Sequence, residues 1–270
     1  VTNSTLIPTM INWMLRDPAM KETELGSLTE VLYGGSSMPA EVLKKAIAAF
    51  GCEFMQGYGM TEAAPLVTIL SIDDHRRAIS GEVSDEILSS AGKPILGVEV
   101  RVLDDDGNDV HVGEVGELCV QGPNVMKGYW KLDDKTNEAI VDGWYHSKDM
   151  ARVDEAGYYY IVDRKDDMIV TGGENVYSTE VESILHEHPA VVEAAVVGVP
   201  DELWVHAVQG VVVLHEGQDV GEAELIEFCK ERLSKYKVPK HIVFTDELPK
   251  GGTGKILKTQ IRDEYSKKKS

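Results

Sequence analysis

Lys255 stands on a glycine-rich loop, Leu248-Pro-Lys-Gly-Gly-Thr-Gly-Lys255-Ile-Leu-Lys. A lysine on such a loop is mobile and can be delivered to a site. The loop is not a Walker A phosphate cradle, which needs Gly at 249 and Ser or Thr at 256, where this chain has Pro249 and Ile256. On the residues alone, a solvated loop lysine is the simpler alternative. A second constellation is Tyr58-Gly59-Met60-Thr61-Glu62. An aromatic face, a hydroxyl and a carboxylate within five residues could grip a base, a phosphate oxygen and a magnesium ion. The same residues also read as a turn into a helix N-terminus capped by Thr61. A third runs Asp163-Arg-Lys-Asp-Asp-Met-Ile-Val-Thr-Gly-Gly-Glu-Asn-Val-Tyr-Ser-Thr-Glu-Val-Glu182. Its opening charged run cannot be buried without partners, so solvent or a polar cleft is expected. Gly172-Gly173 lets the backbone turn, or lets a ligand come closer than a Cβ permits.

These residues need elements to position them. Residues 25–35 read as a short strand running into a glycine turn. Ser36, Ser37 and Pro39 open a helix with Val42, Leu43, Ala46, Ile47 and Phe50 on one face and Gly51 at its end. Cys52 to Met55 is a strand leading into the Tyr58–Glu62 loop. Strand, helix, strand predicts a piece of parallel α/β sheet with its ligand end at the loops after the strands. From Gly92 the pattern alternates and turns at 104–107, and strands at 117–122 and 158–162 follow, giving a small, mostly antiparallel β subdomain. After the charged stretch, Thr179 and Glu182 have capping-box spacing, and Val181, Ile184, Leu185 and His188 share a helix face. Strands at 191–199, 207–214 and 242–244 and helices at 222–233 and 257–265 complete a two-layer α+β unit.

Composition narrows the classes. The 270 residues suffice for one large or two modest cores. A formal net charge of −19 argues against nucleic-acid and anionic-membrane partners, and Lys267-Lys268-Lys269 reads as a solvated end. Cys52, Cys119 and Cys229 lie too far apart for a metal or disulfide framework and fit a reducing, cytoplasmic setting. His186 and His188 point to different helix faces, so neither metal chelation nor a local Ser-His-Asp arrangement is supported. No apolar run approaches the roughly 20 residues of a transmembrane span. Val1 opens mid-pattern, without the plan of a signal peptide, so a truncated chain is expected.

The 163–182 stretch resembles the hinge and glycine-loop region of the adenylate-forming acyl-CoA synthetases (AMP-dependent synthetases and ligases), and three further motifs follow the family's order. The resemblance implies Tyr58 against adenine, with Gly59 beside it, Thr61 at the α-phosphate and Glu62 towards Mg2+, and Gly34, Gly35 and Ser36 lining the adenine and acyl pockets. Gly116-Glu-Leu-Cys-Val-Gln-Gly-Pro with Gly128-Tyr129-Trp130 is similar to a structural β motif, so Tyr129 and Trp130 are expected to pack. Gly143-Trp-Tyr-His-Ser147-Lys148-Asp149 resembles the segment whose aspartate takes both ribose hydroxyls, two acceptor oxygens matching a vicinal diol. The family's usual Thr-Gly-Asp is Ser147-Lys148-Asp149 here, and Lys148 could pair with a phosphate, pair with Asp149, or disturb the turn. Arg164 is implied at the ribose or phosphate, Asp166 as hinge, and Gly172, Gly173, Glu174 and Trp204 along the coenzyme A channel. After Trp204 the usual Gly-Glu is Val205-His206. Lys255 is implied to bridge the attacking carboxylate and the α-phosphate, the electrostatic kind of catalysis. The family's glycine-, serine- and threonine-rich loop ending in Pro-Lys-Gly is missing from these residues.

The expected fold is therefore α/β plus α+β. Residues 1–165 form a partial N-terminal AMP-binding domain, made of a truncated α/β piece at 1–90 and a β subdomain at 91–165. Residues 166–270 form a mobile C-terminal domain. The implied parent is a carboxylate–CoA ligase using ATP, Mg2+ and coenzyme A on a small carboxylic acid, fatty or aryl. The alternatives are a non-catalytic adenylate- or CoA-binding fragment and an amino-acid adenylation domain. Monomer and homodimer both stay open.

Overall fold

A computed structural model describes residues 1–267 apart from Ser37, Glu202 and Thr253. The helix-opening Ser37, the Thr253 of the lysine loop and the Lys268-Lys269 end therefore lie outside the described residues. The chain divides into two compact units, Val1–Ile161 and Val162–Ser270. Asp166 lies just inside the second.

The first unit begins with β1 (Asn3–Leu6), α1 (Pro8–Arg16), β2 (Glu30–Gly34), α2 (Ala40–Phe50), β3 (Glu53–Gly59), β4 (Leu66–Leu70), α3 (Ile72–Ile79) and β5 (Lys93–Pro94). Pro8 suits the first turn of α1, where an N–H would be unpaired anyway. Gly51, at φ 63°, closes α2 in the left-handed region. Leu43, Ala46 and Phe50 turn inward onto Val31, Tyr33 and Phe54. The sheet order is β1-β2-β3-β4-β5. β1, β2 and β3 run parallel, as strand-helix-strand predicts. β4 and β5 extend the sheet antiparallel, which the sequence reading left unassigned.

Helix α3 starts with a capping box, Ser71 and Asp74 exchanging bonds. One turn on, buried His75 places Nδ1 2.7 Å from the Ser71 carbonyl and Nε2 3.0 Å from the Tyr33 hydroxyl. A carbonyl only accepts, so the ring carries a proton on Nδ1; burial disfavours a second, so Nε2 accepts from Tyr33. Burial lowers the His75 pKa from its usual 6.5. The unfolded chain then binds the proton more readily than the folded one, so this stability is whole above the unfolded value and is lost as pH falls below it. A urea-midpoint series from about pH 8 to about pH 5 is expected to show that loss, and His75→Gln to flatten it. An unchanged slope in the variant overturns the assignment.

The β subdomain comprises β6 (Glu99–Leu103), β7 (Gly116–Gln121), α4 (Asp133–Ala139), β8 (Ile140–Val141), β9 (Trp144–Val153) and β10 (Tyr159–Arg164). Its order is β10-β9-β7-β6, with β8 beside β9. Leu118 and Val120 alternate into a core with Val98, Val102 and Ala151. At the expected 104–107 turn, the Asp104 carboxylate accepts from the Asp106 and Asn108 amides.

The second unit holds β11 (Ile169–Thr171), β12 (Glu174–Val176), α5 (Ser178–Glu187), β13 (Val191–Asp201), β14 (Val205–Leu214), α6 (Glu222–Lys230), β15 (His241–Phe244) and α7 (Lys258–Lys267). The order is β12-β11-β14-β13, and β15 lies parallel to β14. The α+β class stands, with cover beyond two layers. Ala194 and Val196 of β13 pack with Val181, Leu185 and Leu225. Ala195, Val197 and Val199 pack with Leu248 and Ile261. A strand enclosed on both faces reads as a continuous apolar run, as 194–199 does.

Two local expectations fail here. The capping box at Thr179 and Glu182 does not form. Thr179 Oγ1 donates to the Val162 carbonyl, and Glu182 accepts from the Val196 amide at 2.8 Å. Tertiary partners outcompete the local pairing. The charged run is also not wholly solvated. Asp163 is 4% exposed and accepts from the Arg164 amide and from the amide and hydroxyl of Ser178, the partners that burial requires.

Candidate functional site

In the first unit, Gly34 ends β2 directly opposite Gly57 of β3. A side chain at Gly34 would put its Cβ 2.2 Å from the Gly57 carbonyl oxygen, so this glycine lets two backbones close up. Gly35 and Ser36 follow, exposed. Tyr58 and Gly59 are the last residues of β3, not a loop after it, and Thr61–Ala63 form one 3-10 turn. Met60 occupies the cap position and Thr61 is exposed, so the cap reading of Thr61 fails. Because β2 and β3 are parallel, Gly34–Ser36 and Tyr58–Glu62 emerge from the same edge of the sheet, the edge where α/β sheets take ligands.

The β subdomain adds the third segment. The Tyr58 hydroxyl donates to Asp149 Oδ2 at 2.6 Å, and Asp149 is 6% exposed. Asp149 is aimed by a bulge. Glu117 pairs with Met150 and Cys119 with His146, so β9 carries extra residues across that step. Ser147 donates its hydroxyl to the Leu118 carbonyl at 2.6 Å and accepts the Asp149 amide at 3.0 Å. Any hydroxyl residue could do this, so Ser replaces Thr without loss. Lys148 sits at φ 60°. Its amide reaches Glu117 at 3.0 Å, and its ammonium lies 3.4 Å from Glu138 at an exposed pair of little weight. The turn survives the lysine.

Glu62 has a partner that sequence reasoning missed. Tyr129 donates its hydroxyl to Glu62 Oε1 at 3.1 Å, and burial pushes its ionisation up, as it does for Tyr145. The expectation of packing is corrected for Trp130, while Tyr129 is half-buried. Tyr129 holds a carboxylate, and Trp130 is 86% exposed with Lys131 beside its ring. A Gly-Tyr-Trp triplet outside regular structure has no periodicity to say which ring turns inward. Gln56 was also missed. Its buried Oε1 has no partner among the described residues.

In the second unit, Arg164 closes β10 and is exposed, and its carbonyl accepts the Asp167 and Met168 amides in a tight turn. Asp166 is exposed at that turn. Its carbonyl accepts from Arg262, which also pairs with Asp167. Gly172 donates its amide to the Trp204 carbonyl at 3.0 Å. Its φ is 59°, and a Cβ there would lie 2.6 Å from the Trp204 ring. Glycine is required twice over, and the structure brings these two predicted residues together. Gly173 turns at φ 87° beside them, and Glu174 opens β12, exposed. Lys240 stands 5.3 Å from the Trp204 ring. Lys255 lies on a small hairpin, where Gly251 donates to the Lys255 carbonyl and Leu257 to the Pro249 carbonyl. Its side chain is exposed and makes no ion pair among the described residues. Those residues also include no group of three or more His, Cys, Asp or Glu that could cage a metal. No helix among them is long and apolar enough to cross a membrane.

Residues 1–130 match the AMP-binding enzyme family, and residues 180–255 match the AMP-binding enzyme C-terminal domain. The chain belongs to the AMP-binding enzyme family. It is 43% identical to feruloyl-CoA synthase of Amycolatopsis sp over 259 residues, covering 96% of this chain and 51% of that protein. It is 42% identical to the medium/long-chain-fatty-acid–CoA ligase FadD8 of Mycobacterium tuberculosis over 272 residues, covering 98% and 46%. Among solved structures it is similar to o-succinylbenzoate CoA synthetase (MenE) of Bacillus subtilis in complex with the acyl-adenylate intermediate OSB-AMP. That likeness has a TM-score of 0.84 and 36% identity, over 97% of this chain and 51% of that one. The chain spans about half the length of the curated relatives it matches.

Two departures of this AMP-binding enzyme now have a backbone account. Lys148 and Val205 stand where the motifs usually carry glycine, and both have positive φ, 60° and 72°. A side chain in that region costs roughly 1–2 kcal/mol. Lys148→Gly and Val205→Gly are each expected to raise stability by up to about 1 kcal/mol, the gain reduced by glycine's larger unfolded-state entropy. The check is a shift of the urea midpoint to higher concentration. A midpoint that falls for both overturns it.

Proposed function

We propose that the full-length protein carrying this chain is an ATP-dependent carboxylate–CoA ligase of the fatty-acid or aryl-acid class. A carboxylate and ATP give an acyl-adenylate and pyrophosphate. Coenzyme A then takes the acyl group as a thioester and AMP leaves. The observation that carries this reading is the Tyr58–Asp149 pair at the ligand edge of parallel strands. An aromatic ring beside a buried carboxylate suits a base joined to a ribose diol.

In this reading Asp149 receives the ribose hydroxyls, Tyr58 faces the adenine, Thr61 contacts the α-phosphate, and Gly34, Gly35, Ser36 and Gly59 shape the pocket. Arg164 adds charge at the ribose or phosphate. Glu62 is the residue that would hold Mg2+. Tyr129 occupies Oε1, and among the described residues the carboxylate has no other hydrogen-bond or ion-pair partner, a donor set that fits an ion sharing its coordination with phosphate oxygens rather than one caged by protein. Bound there, the ion would offset phosphate charge. Gly172, Gly173, Glu174 and Trp204 line the pantetheine path, Gly172 letting the Trp204 ring lie close against the backbone. Asp166 is the hinge about which the second unit presents first Lys255 and then this glycine wall. The reaction belongs in the cytoplasm, where free Cys52, Cys119 and Cys229 stay reduced.

Pyrophosphate release by the full-length protein with fatty, ferulic-type and amino acids tests the reading. Release with a fatty or aryl acid supports it. Release with an amino acid only makes it an amino-acid adenylation domain. A second reading applies to these 270 residues alone, because no glycine-, serine- and threonine-rich loop ending in Pro-Lys-Gly occurs among them. By itself this piece is then a non-catalytic adenylate- or CoA-binding fragment. Calorimetric binding of AMP or CoA without turnover identifies that case.

A further inference from the structure

Lys258 opens α7, three residues beyond Lys255, and its side chain is buried. Its ammonium lies 2.7 Å from Glu182 Oε1 and 2.6 Å from Ser178 Oγ. The Lys258 and Glu182 side chains are only 13% and 15% exposed. Ser178, fully buried, passes the contact on by donating its hydroxyl to Asp163 Oδ2 at 2.7 Å. Glu182 also accepts the Val196 amide. Burial pushes the Glu182 carboxyl up, and Lys258 pulls it back. One cation thus serves two buried carboxylates drawn from α5 and the end of β10, and the cluster sits against β13.

One helical turn further, at the i+4 position on the same face, Arg262 donates to the Asp166 carbonyl and pairs with Asp167 at 2.9 Å. Helix α7 is therefore tied to α5 through Lys258 and to 166–167 through Arg262. A buried ion pair is a poor source of net stability, because apolar residues of similar volume often serve as well. Two ties from one helix, one to α5 and one to 166–167, do fix geometry.

We propose that Lys258 is a positioning residue. With Arg262 as its second tie, it mounts the Lys255 hairpin on α5 and on 166–167, so that hairpin and α5 move as one block. This rests on the ligase reading for its catalytic consequence, while the mechanical coupling stands on the contacts alone. Lys255 has no anchor of its own beyond the hairpin. Its place at an activated carboxylate is then set by how α7 sits on α5.

The test uses the full-length protein with Lys258→Met, Lys258→Arg and the double variant Lys258→Met/Glu182→Gln. The double variant removes the uncompensated buried charge, and so separates folding from positioning. Lys258→Met is expected to lower kcat for pyrophosphate release about 10- to 100-fold, the cost of a small misplacement. The KM for ATP and the thioester step from supplied acyl-adenylate should change less than about twofold. Lys258→Arg should recover most of the rate. The double variant should recover the urea midpoint without the rate. Hydrogen exchange should rise together in 178–187 and 249–257 of Lys258→Met. Recovery of the rate along with the midpoint, equal loss of both half-reactions in a folded variant, or exchange rising in one segment alone overturns the proposal. Coupled exchange in a parent that turns over no acid supports the tie and overturns the ligase reading instead.

Discussion

Lys255→Ala in the full-length protein is expected to lower adenylate formation roughly 10²- to 10³-fold, the usual cost of removing one preorganised charge from a developing anion. The thioester step from supplied acyl-adenylate should keep most of its rate. The split follows from the chemistry each step demands. Adenylation brings a carboxylate against a phosphate, and a cation offsets that repulsion. Thioester formation starts from a neutral mixed anhydride carbon and needs no such cation. The structure leaves the side chain exposed, with no ion pair among the described residues, so truncation removes charge without stranding a buried partner. Stability should therefore move by less than about 0.5 kcal/mol. Pyrophosphate release and thioester formation measured separately decide it, and equal losses in both would falsify the assigned role.

Asp149→Ala should have an effect of comparable size. Hydrogen bonds to a charged acceptor are worth about 1.5–3 kcal/mol each. Losing two to a ribose diol raises the KM for ATP, or lowers kcat/KM for it, roughly 10²- to 10⁴-fold. The substitution also strips the Tyr58 hydroxyl of its 2.6 Å acceptor, which costs about 1–3 kcal/mol of stability at a half-buried site. Tyr58→Phe/Asp149→Ala, with neither polar group left, should regain much of that stability and none of the ATP affinity. The KM for coenzyme A is the control. If ATP and coenzyme A parameters shift alike, Asp149 is structural and not a ribose ligand.

Much of this fold was legible because its signals are local. Gly51 after an apolar stripe, Pro8 in a first turn and the alternation around Leu118 and Val120 each specify an element within a few residues. The site's motifs were legible through the family resemblance instead, and Gly172 does lie against Trp204. What escaped is tertiary. Thr179 and Glu182 have the right spacing for a cap, yet the Val162 carbonyl and the Val196 amide claim them first. No periodicity marks Tyr129 as the partner of Glu62, because the two are 67 residues apart in the chain. Lys258 reads as one more surface lysine until its burial is seen. Lys148 and Val205 were visible only as departures, and the left-handed backbone beneath them explains why glycine is the ordinary choice.

The hairpin from Pro249 to Leu257 has a further consequence. Its arms are cross-tied by backbone bonds on both sides of Lys255, so the loop is less a whip than a bracket. A bracket keeps its cargo ready to act and gives it little travel. Inserting residues among the glycines would lengthen the reach at the expense of aim, whereas stiffening them should leave a working enzyme untouched. Tuning of this lysine by the protein is then a matter of stalk and mounting, and the glycines serve chiefly to make the bend tight.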